Sequence, residues 1–177
     1  MCDINERIPL RESSIKVDKN AIGSRGEAIA TVRFTEGNLF RVYFLGEKAP
    51  TIDCLLELTD DKYPFFALLQ VKTTSKILAR ANKLSISLSK DDLMKLQLMA
   101  LPTYLVGVEE QTEVLYFAPI FYKHKMQYTS SIPTRYMLKA GEKDKNLQNL
   151  RKLKNEIIAY SIPTQKRKLT YKTKLKI

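Results

Sequence analysis

Thr51-Ile52-Asp53-Cys54-Leu55-Leu56-Glu57-Leu58 and Phe65-Phe66-Ala67-Leu68-Leu69-Gln70-Val71-Lys72-Thr73 are two apolar runs separated by Thr59-Asp60-Asp61-Lys62-Tyr63-Pro64. An Asp-rich, Pro-ended break between such runs is a turn, so the stretch reads as a β-hairpin. Phe65 to Leu69 is apolar on both faces, as a central strand covered on both sides of a sheet should be. Counted outward from a turn near residue 61, Asp53 and Gln70 fall at nearly equal distances and should be neighbours across the hairpin. Gln70 and Lys72 are two residues apart, so their side chains leave the strand on one face. Cys54 points the other way, into the core. Glu57 shares the face of Asp53 but lies nearer the turn and farther from Lys72. Asp60 and Asp61 are turn residues.

Upstream, Ile22, Ile29 and Val32 recur at helical spacing with Ala28 and Ala30 between them, which predicts a helix from about Ile22 to Glu36, stopped by Gly37-Asn38. Glu27, in the early turns of that helix, can close on the hairpin from the side. Leu39 to Leu45 reads as a strand. Glu27, Asp53, Gln70 and Lys72 then form one constellation of oxygen donors beside a single lysine. Carboxylates and an amide carbonyl are hard ligands of the kind Mg²⁺ or Mn²⁺ prefers. A metal held there would acidify a water and neutralise charge on a phosphodiester, and the lysine could orient that water or the developing oxyanion.

Downstream of the hairpin, Lys83 to Ser87 alternates as a further strand. Ser89 before Lys90-Asp91-Asp92 is a helix start, because its hydroxyl caps exposed backbone N–H groups and the acids favour the positive helix end. Pro102 is expected to end that helix. Thr103–Val108 and Glu113–Ile120 read as two strands about a polar turn. Leu147, Leu150, Leu153, Ile157 and Ile158 predict a second amphipathic helix over about Lys143 to Tyr160. Together these elements give an α/β domain whose mixed central sheet is flanked by helices.

Composition narrows the chemistry. The 177 residues carry 30 Lys+Arg against 19 Asp+Glu, a net charge of +11, and such a surplus favours nucleic acid, or less often an anionic membrane surface, although a merely basic soluble protein accounts for it equally well. Cys2 and Cys54 are too few for a disulfide framework or a cysteine zinc site, and His124 is the one histidine, so paired-His metal sites within one chain are excluded and Ser-His or Cys-His catalysis would need His124 itself. No run of about 18 apolar residues is present to span a membrane, and residues 1–7 lack the apolar stretch of a secretory signal. A cytoplasmic location is the expectation. Positions for nucleic-acid contact are Lys166, Arg167 and Lys168 in an acid-free tail, and Lys123 and Lys125 among Tyr122, Tyr128, Arg135 and Tyr136. The same residues could equally be a solvated end and aromatic packing at a sheet edge.

Gly23-Ser24-Arg25-Gly26-Glu27, then Ile52-Asp53, then Leu69-Gln70-Val71-Lys72-Thr73-Thr74 resemble the PD-(D/E)xK nuclease-like superfamily, and within it the domain-of-unknown-function family numbered 4365. Leu88-Ser89-Lys90-Asp91-Asp92-Leu93 and the Pro-led Pro102-Thr103-Tyr104-Leu105-Val106-Gly107-Val108 extend the resemblance, which covers about residues 20–122. It implies a restriction-endonuclease-like fold and a metal-dependent DNA endonuclease, in phage-defence or mobile-element biology. It would give metal ligation to Asp53 and Gln70 with help from the Val71 backbone, the catalytic lysine to Lys72 and the helix acid to Glu27. A homodimer is implied by analogy with nucleases that cut two strands. Gln70 departs from the usual Glu or Asp, and the alternative is an inactive nuclease-fold module that binds nucleic acid or a protein partner. The chain then divides into a polar arm (1–20), the nuclease-like core (21–122), a C-terminal extension with a helix (123–164) and a basic tail (165–177).

Overall fold

A computed structural model describes residues 19–46, 49, 51–59, 64–75, 83–120 and 131–174, without the side chains of residue 19 and residues 163–174. The chain opens with helix α1 (Lys19–Thr35) and a short 3₁₀ turn, then strand β1 (Phe40–Phe44). Gly37 and Asn38 carry φ of 81° and 56°, left-handed values that Gly and Asn tolerate and that stop the helix as expected. Next come β2 (Cys54–Leu58) and β3 (Phe66–Thr74), the predicted hairpin, whose turn residues 60–63 lie outside the described residues.

Strand β4 (Lys83–Ser85) is shorter than its alternation implied, although Leu84, Ile86 and Leu88 are all buried. Helix α2 (Lys90–Gln97) starts as expected: Asp92 N–H donates to the Ser89 hydroxyl at 3.0 Å. It stops at Gln97, before Pro102, with Leu98 as its C-cap. Strands β5 (Thr103–Glu109) and β6 (Val114–Pro119) follow, then the short β7 (Ser131–Pro133) and β8 (Met137–Leu138), which periodicity did not reveal. Helix α3 (Lys143–Lys174) continues well past Tyr160. Pro163 removes only one N–H donor, and the Gln, Lys, Arg and Leu residues after it are good helix formers.

Six strands form one mixed sheet in the order β1-β2-β3-β5-β6-β8, and β4 with β7 makes a separate ribbon. Every neighbouring pair in the large sheet is antiparallel except β3–β5, which is parallel. One face packs Leu69, Val106 and Phe117 against Phe34 of α1 and against Leu150, Leu153 and Ile157 of α3. The other packs Leu105 and Tyr116 against Leu93 and Leu96 of α2 and against Leu84 and Ile132 of the ribbon. The C-terminal helix therefore belongs to the same core as the strands. At Gly107 a Cβ would lie 2.5 Å from Leu84 and 2.7 Å from Ile132, so the ribbon can press on β5 only because this residue has no side chain.

The buried face of α1 is turned only part-way from the one its apolar spacing picks out, since Ile29 still packs against the core. Gly26, Ala30, Arg33 and Phe34 face the sheet, while Val32 is 55% exposed. Gly26 explains the rotation. A Cβ there would meet Thr73 Oγ1 at 1.8 Å, so the helix backbone lies directly on the end of β3. Buried Arg33 stays on that face because Glu36 (2.9 Å) and Glu113 (3.1 Å) neutralise it. Arg25 reaches Glu110 at 2.8 Å, so the helix is fastened at two points to the β5–β6 turn.

Candidate functional site

Strand β3 has nine residues and β2 has five, and this mismatch makes the site. The β2–β3 ladder closes with Cys54 opposite Leu69. Asp53 N–H still donates to Leu69 O at 2.9 Å, and then β2 ends while β3 runs on to Thr74. Beyond that point the β2 side of β3 is a notch. Asp53 stands at its corner, where one oxygen, Oδ2, accepts from Val71 N–H (2.5 Å) and from Gln70 Nε2–H (2.6 Å). The carboxylate thus takes over the backbone pairing that a longer β2 would have supplied.

Glu27, Asp53, Gln70 and Lys72 all line a cleft of about 470 Å³, walled by Ile22 and Gly23 of α1 and by the hydroxyls of Thr73, Thr74 and Ser75. The four residues singled out in the sequence are therefore brought together. The Gly26–Thr73 contact sets Glu27, one residue on, over the open end of the strand. Of the remaining wall residues, Gly23, Thr73 and Thr74 stand in the motif runs quoted from the sequence without a role of their own, and Ser75 was not singled out.

Electrostatically the cleft is short of positive charge. Burial pushes the Asp53 carboxyl above its ordinary range, against the opposing pull of the Val71 N–H and the Lys72 ammonium. Glu27 is also raised, first by burial and then by the Asp53 charge. Two part-buried carboxylates, one held in its neutral form partly by the charge of the other, beside one lysine form a site that favours an added cation. Among the described residues no cluster of three or more His, Cys, Asp or Glu is poised for a metal. The donors are two carboxylates and an amide.

Gln70 is 5% exposed and turns its NH₂ toward Asp53, with a longer contact of 3.4 Å to Val71 O. In this arrangement it is a donor to Asp53 and not a ligand. Hard oxygen donors still fit Mg²⁺ or Mn²⁺: Glu27 and Asp53, the Val71 carbonyl, and the Gln70 carbonyl once its amide is turned over.

The rival acid Glu57 is engaged elsewhere, accepting from the Tyr43 hydroxyl at 2.5 Å with Arg41 at 3.9 Å. Cys54 is fully buried, and burial together with the Asp53 and Glu27 charges pushes its thiol up to about 12. Tyr136 stacks on Phe117 (centroids 5.6 Å apart, planes at 16°) and carries the Arg135 guanidinium over its ring at 5.3 Å, so this tyrosine is used in packing. Lys123, His124 and Lys125, and the side chains of Lys166, Arg167 and Lys168, lie outside the described residues. No helix among the described residues is long and apolar enough to cross a membrane. In comparison with known proteins, the chain matches no family model, no curated protein and no solved structure.

Proposed function

We propose that the protein is a metal-dependent nuclease of restriction-endonuclease-like fold that hydrolyses DNA phosphodiester bonds at the notch between β2 and β3. The observation that carries this reading is the convergence of Glu27, Asp53, Gln70 and Lys72 on one cleft with a deficit of positive charge. The element order supports it too: a helix, three antiparallel strands, and a parallel strand β5 beside the one that bears the lysine. Bound Mg²⁺ or Mn²⁺ would supply an acidified water and charge neutralisation on the phosphate. Asp53 and Glu27 hold the cation, and the main chain at Val71 keeps Asp53 in place. Lys72, on the same face of β3 as Gln70, steadies the attacking water or a phosphate oxygen. Thr74 and Ser75 offer hydroxyls to the neighbouring phosphates. The basic surplus draws the DNA in.

The test is an incubation of the purified protein with plasmid and branched DNA, with Mg²⁺ or Mn²⁺ and in parallel with EDTA. Metal-dependent cleavage that Lys72→Ala lowers by about 100-fold or more is expected. No cleavage on any substrate, or full activity of Lys72→Ala, ends the enzymatic reading.

A second reading has its own observation. The 2.6 Å bond from Gln70 to Asp53 satisfies the acid without a metal, as a nuclease-fold module that binds DNA or a protein without cutting would require. Gln70→Glu separates the two. Restoring the carboxylate should raise cleavage in the first case and create only Mg²⁺-dependent stabilisation in the second.

A further inference from the structure

The opposite edge of the sheet carries a second feature, independent of the nuclease reading. Strand β1, Phe40-Arg41-Val42-Tyr43-Phe44, is the terminal strand, and among the described residues none pairs with its outer side. Sheet edges are ordinarily blunted by lysine, proline or a bulge. Here the one charge, Arg41, is drawn back toward Glu57, which also accepts from the Tyr43 hydroxyl, and the edge leaves Tyr43 42% and Phe44 58% exposed.

Which backbone groups point outward is fixed by the inner ladder. Leu45 N–H donates to Asp53 O (2.9 Å) and Thr59 N–H to Leu39 O (3.1 Å). The odd residues of this segment therefore face β2, and the N–H and C=O groups of Phe40, Val42 and Phe44 face outward.

That parity makes the strand complementary to itself. In an antiparallel pairing about a two-fold axis at Val42, the two Val42 residues exchange both of their hydrogen bonds. Phe40 and Phe44 pair reciprocally with Phe44 and Phe40 of the second copy. On the other sheet face, Arg41 lies against Tyr43 of the second copy, a cation–π arrangement. The side chains fit as well. Phe40 is buried at one end of β1, where a groove running along the strand from Phe40 to Tyr43 is closed by Thr35, Asn38 and Thr59, whereas Phe44 stands exposed at the other end on the same face. The two-fold carries each exposed Phe44 to the partner's groove, which buries apolar surface twice for one contact type.

The geometry points to homodimerisation through β1, with Val42 on the two-fold axis and the two large sheets joined into one. The interface is isologous, and its occupant is a second copy because the strand's outward groups, its aromatic ends and its groove answer one another. It places no demand on the cleft at β3.

Sedimentation velocity in reductant tests it, on the wild type, Phe44→Lys and Val42→Pro. Phe44→Lys puts a charge at an already exposed position, and Val42→Pro removes an N–H that bonds to none of the described residues. At high micromolar concentration the wild type should sediment at twice the single-chain mass of 20.4 kDa. Both variants should stay at the single mass with unchanged circular dichroism. Arg41→Cys with Tyr43→Cys, in a Cys2→Ser background, should form a covalent dimer on oxidation, and neither cysteine alone should. A wild type that is monomeric throughout, or a dimer that both variants retain, overturns the proposal. A dimer lost in the variants but not cross-linked by the cysteine pair overturns the Val42-centred register.

Discussion

Asp53 holds its proton more tightly in the folded chain than in the unfolded one, because burial outweighs the help of Val71 N–H and Lys72. A group raised in this way favours folding at low pH, and its contribution is lost as pH rises through the folded-state value. At neutral pH the ionised side chain is therefore a net cost to folding. Asp53→Asn can accept the same two hydrogen bonds while removing the charge. It should melt higher than wild type at pH 7–8, by about 2 °C once solvent screening of a part-exposed group is allowed for. The gap should close as pH falls below the ordinary carboxylate value of 3.8, and paired thermal melts across pH check both halves. Under the proposed function, Mg²⁺ should raise the wild-type melting temperature and leave that of Asp53→Asn in place. Cys54, next along the chain but facing the core, gives the opposite case. With its thiol pushed up to about 12 and no exposed surface, it should resist alkylation in the native state and label only on unfolding, as peptide mass mapping would read. Both facings were legible in the sequence, since a strand alternates. The bond from Gln70 to Asp53 was not, because it depends on where β2 leaves β3.

Helix α1 shows why elements are harder to read than pairs of residues. Its apolar spacing marks Ile22, Ile29 and Val32, and Ile29 does pack on the core, yet Val32 is exposed and the centre of the buried face is Gly26, Ala30, Arg33 and Phe34. Periodicity counts bulk, and here the decisive residue has none. The two glycines of the helix separate cleanly. A Cβ at Gly26 would strike Thr73 at 1.8 Å, while one at Gly23 would meet nothing within 4 Å. Gly26→Ala must push α1 off β3 and should destabilise the protein by about 1–3 kcal/mol, displacing Glu27 as it does so. Gly23→Ala should stabilise it by up to about 1 kcal/mol through helix propensity alone. Urea unfolding of the two variants side by side reads the contrast, and equal effects would mean that α1 does not lie on Thr73. The predicted hairpin, β1, α2, β5 and β6 were legible because each joins a pattern to a stop signal such as Gly37-Asn38 or Ser89. Strands β7 and β8, of three and two residues, are too short to carry a period. The end of α3 was obscured by Pro163, which reads as a stop in sequence.

At the scale of the molecule, the charge and the fold are held by different parts of the chain. The described core is a near-balanced surface laced with pairs such as Arg25–Glu110 and Lys145–Glu142. The surplus behind the net +11 falls largely in segments outside the described side chains, above all Lys166, Arg167, Lys168, Lys172, Lys174 and Lys176. The buried residues that anchor α3, Leu150, Leu153 and Ile157, all precede Pro163. Folding and polyanion attraction should therefore be separable by a cut. A chain ending at Ile162 keeps every one of those contacts, so its melting temperature and circular dichroism signal per residue should stay close to those of the full chain. Under the proposed function, its affinity for duplex DNA should fall, and the dependence on salt should flatten. For B-DNA the slope of log K against log[salt] is about −0.9 for each phosphate neutralised, so losing several lysine contacts should reduce its magnitude by several units. Fluorescence anisotropy with a labelled duplex in EDTA, at a series of salt concentrations, measures this without cleavage. An unchanged slope would place DNA attraction in the core, and a truncated chain that unfolds would mean that the tail carries part of the fold.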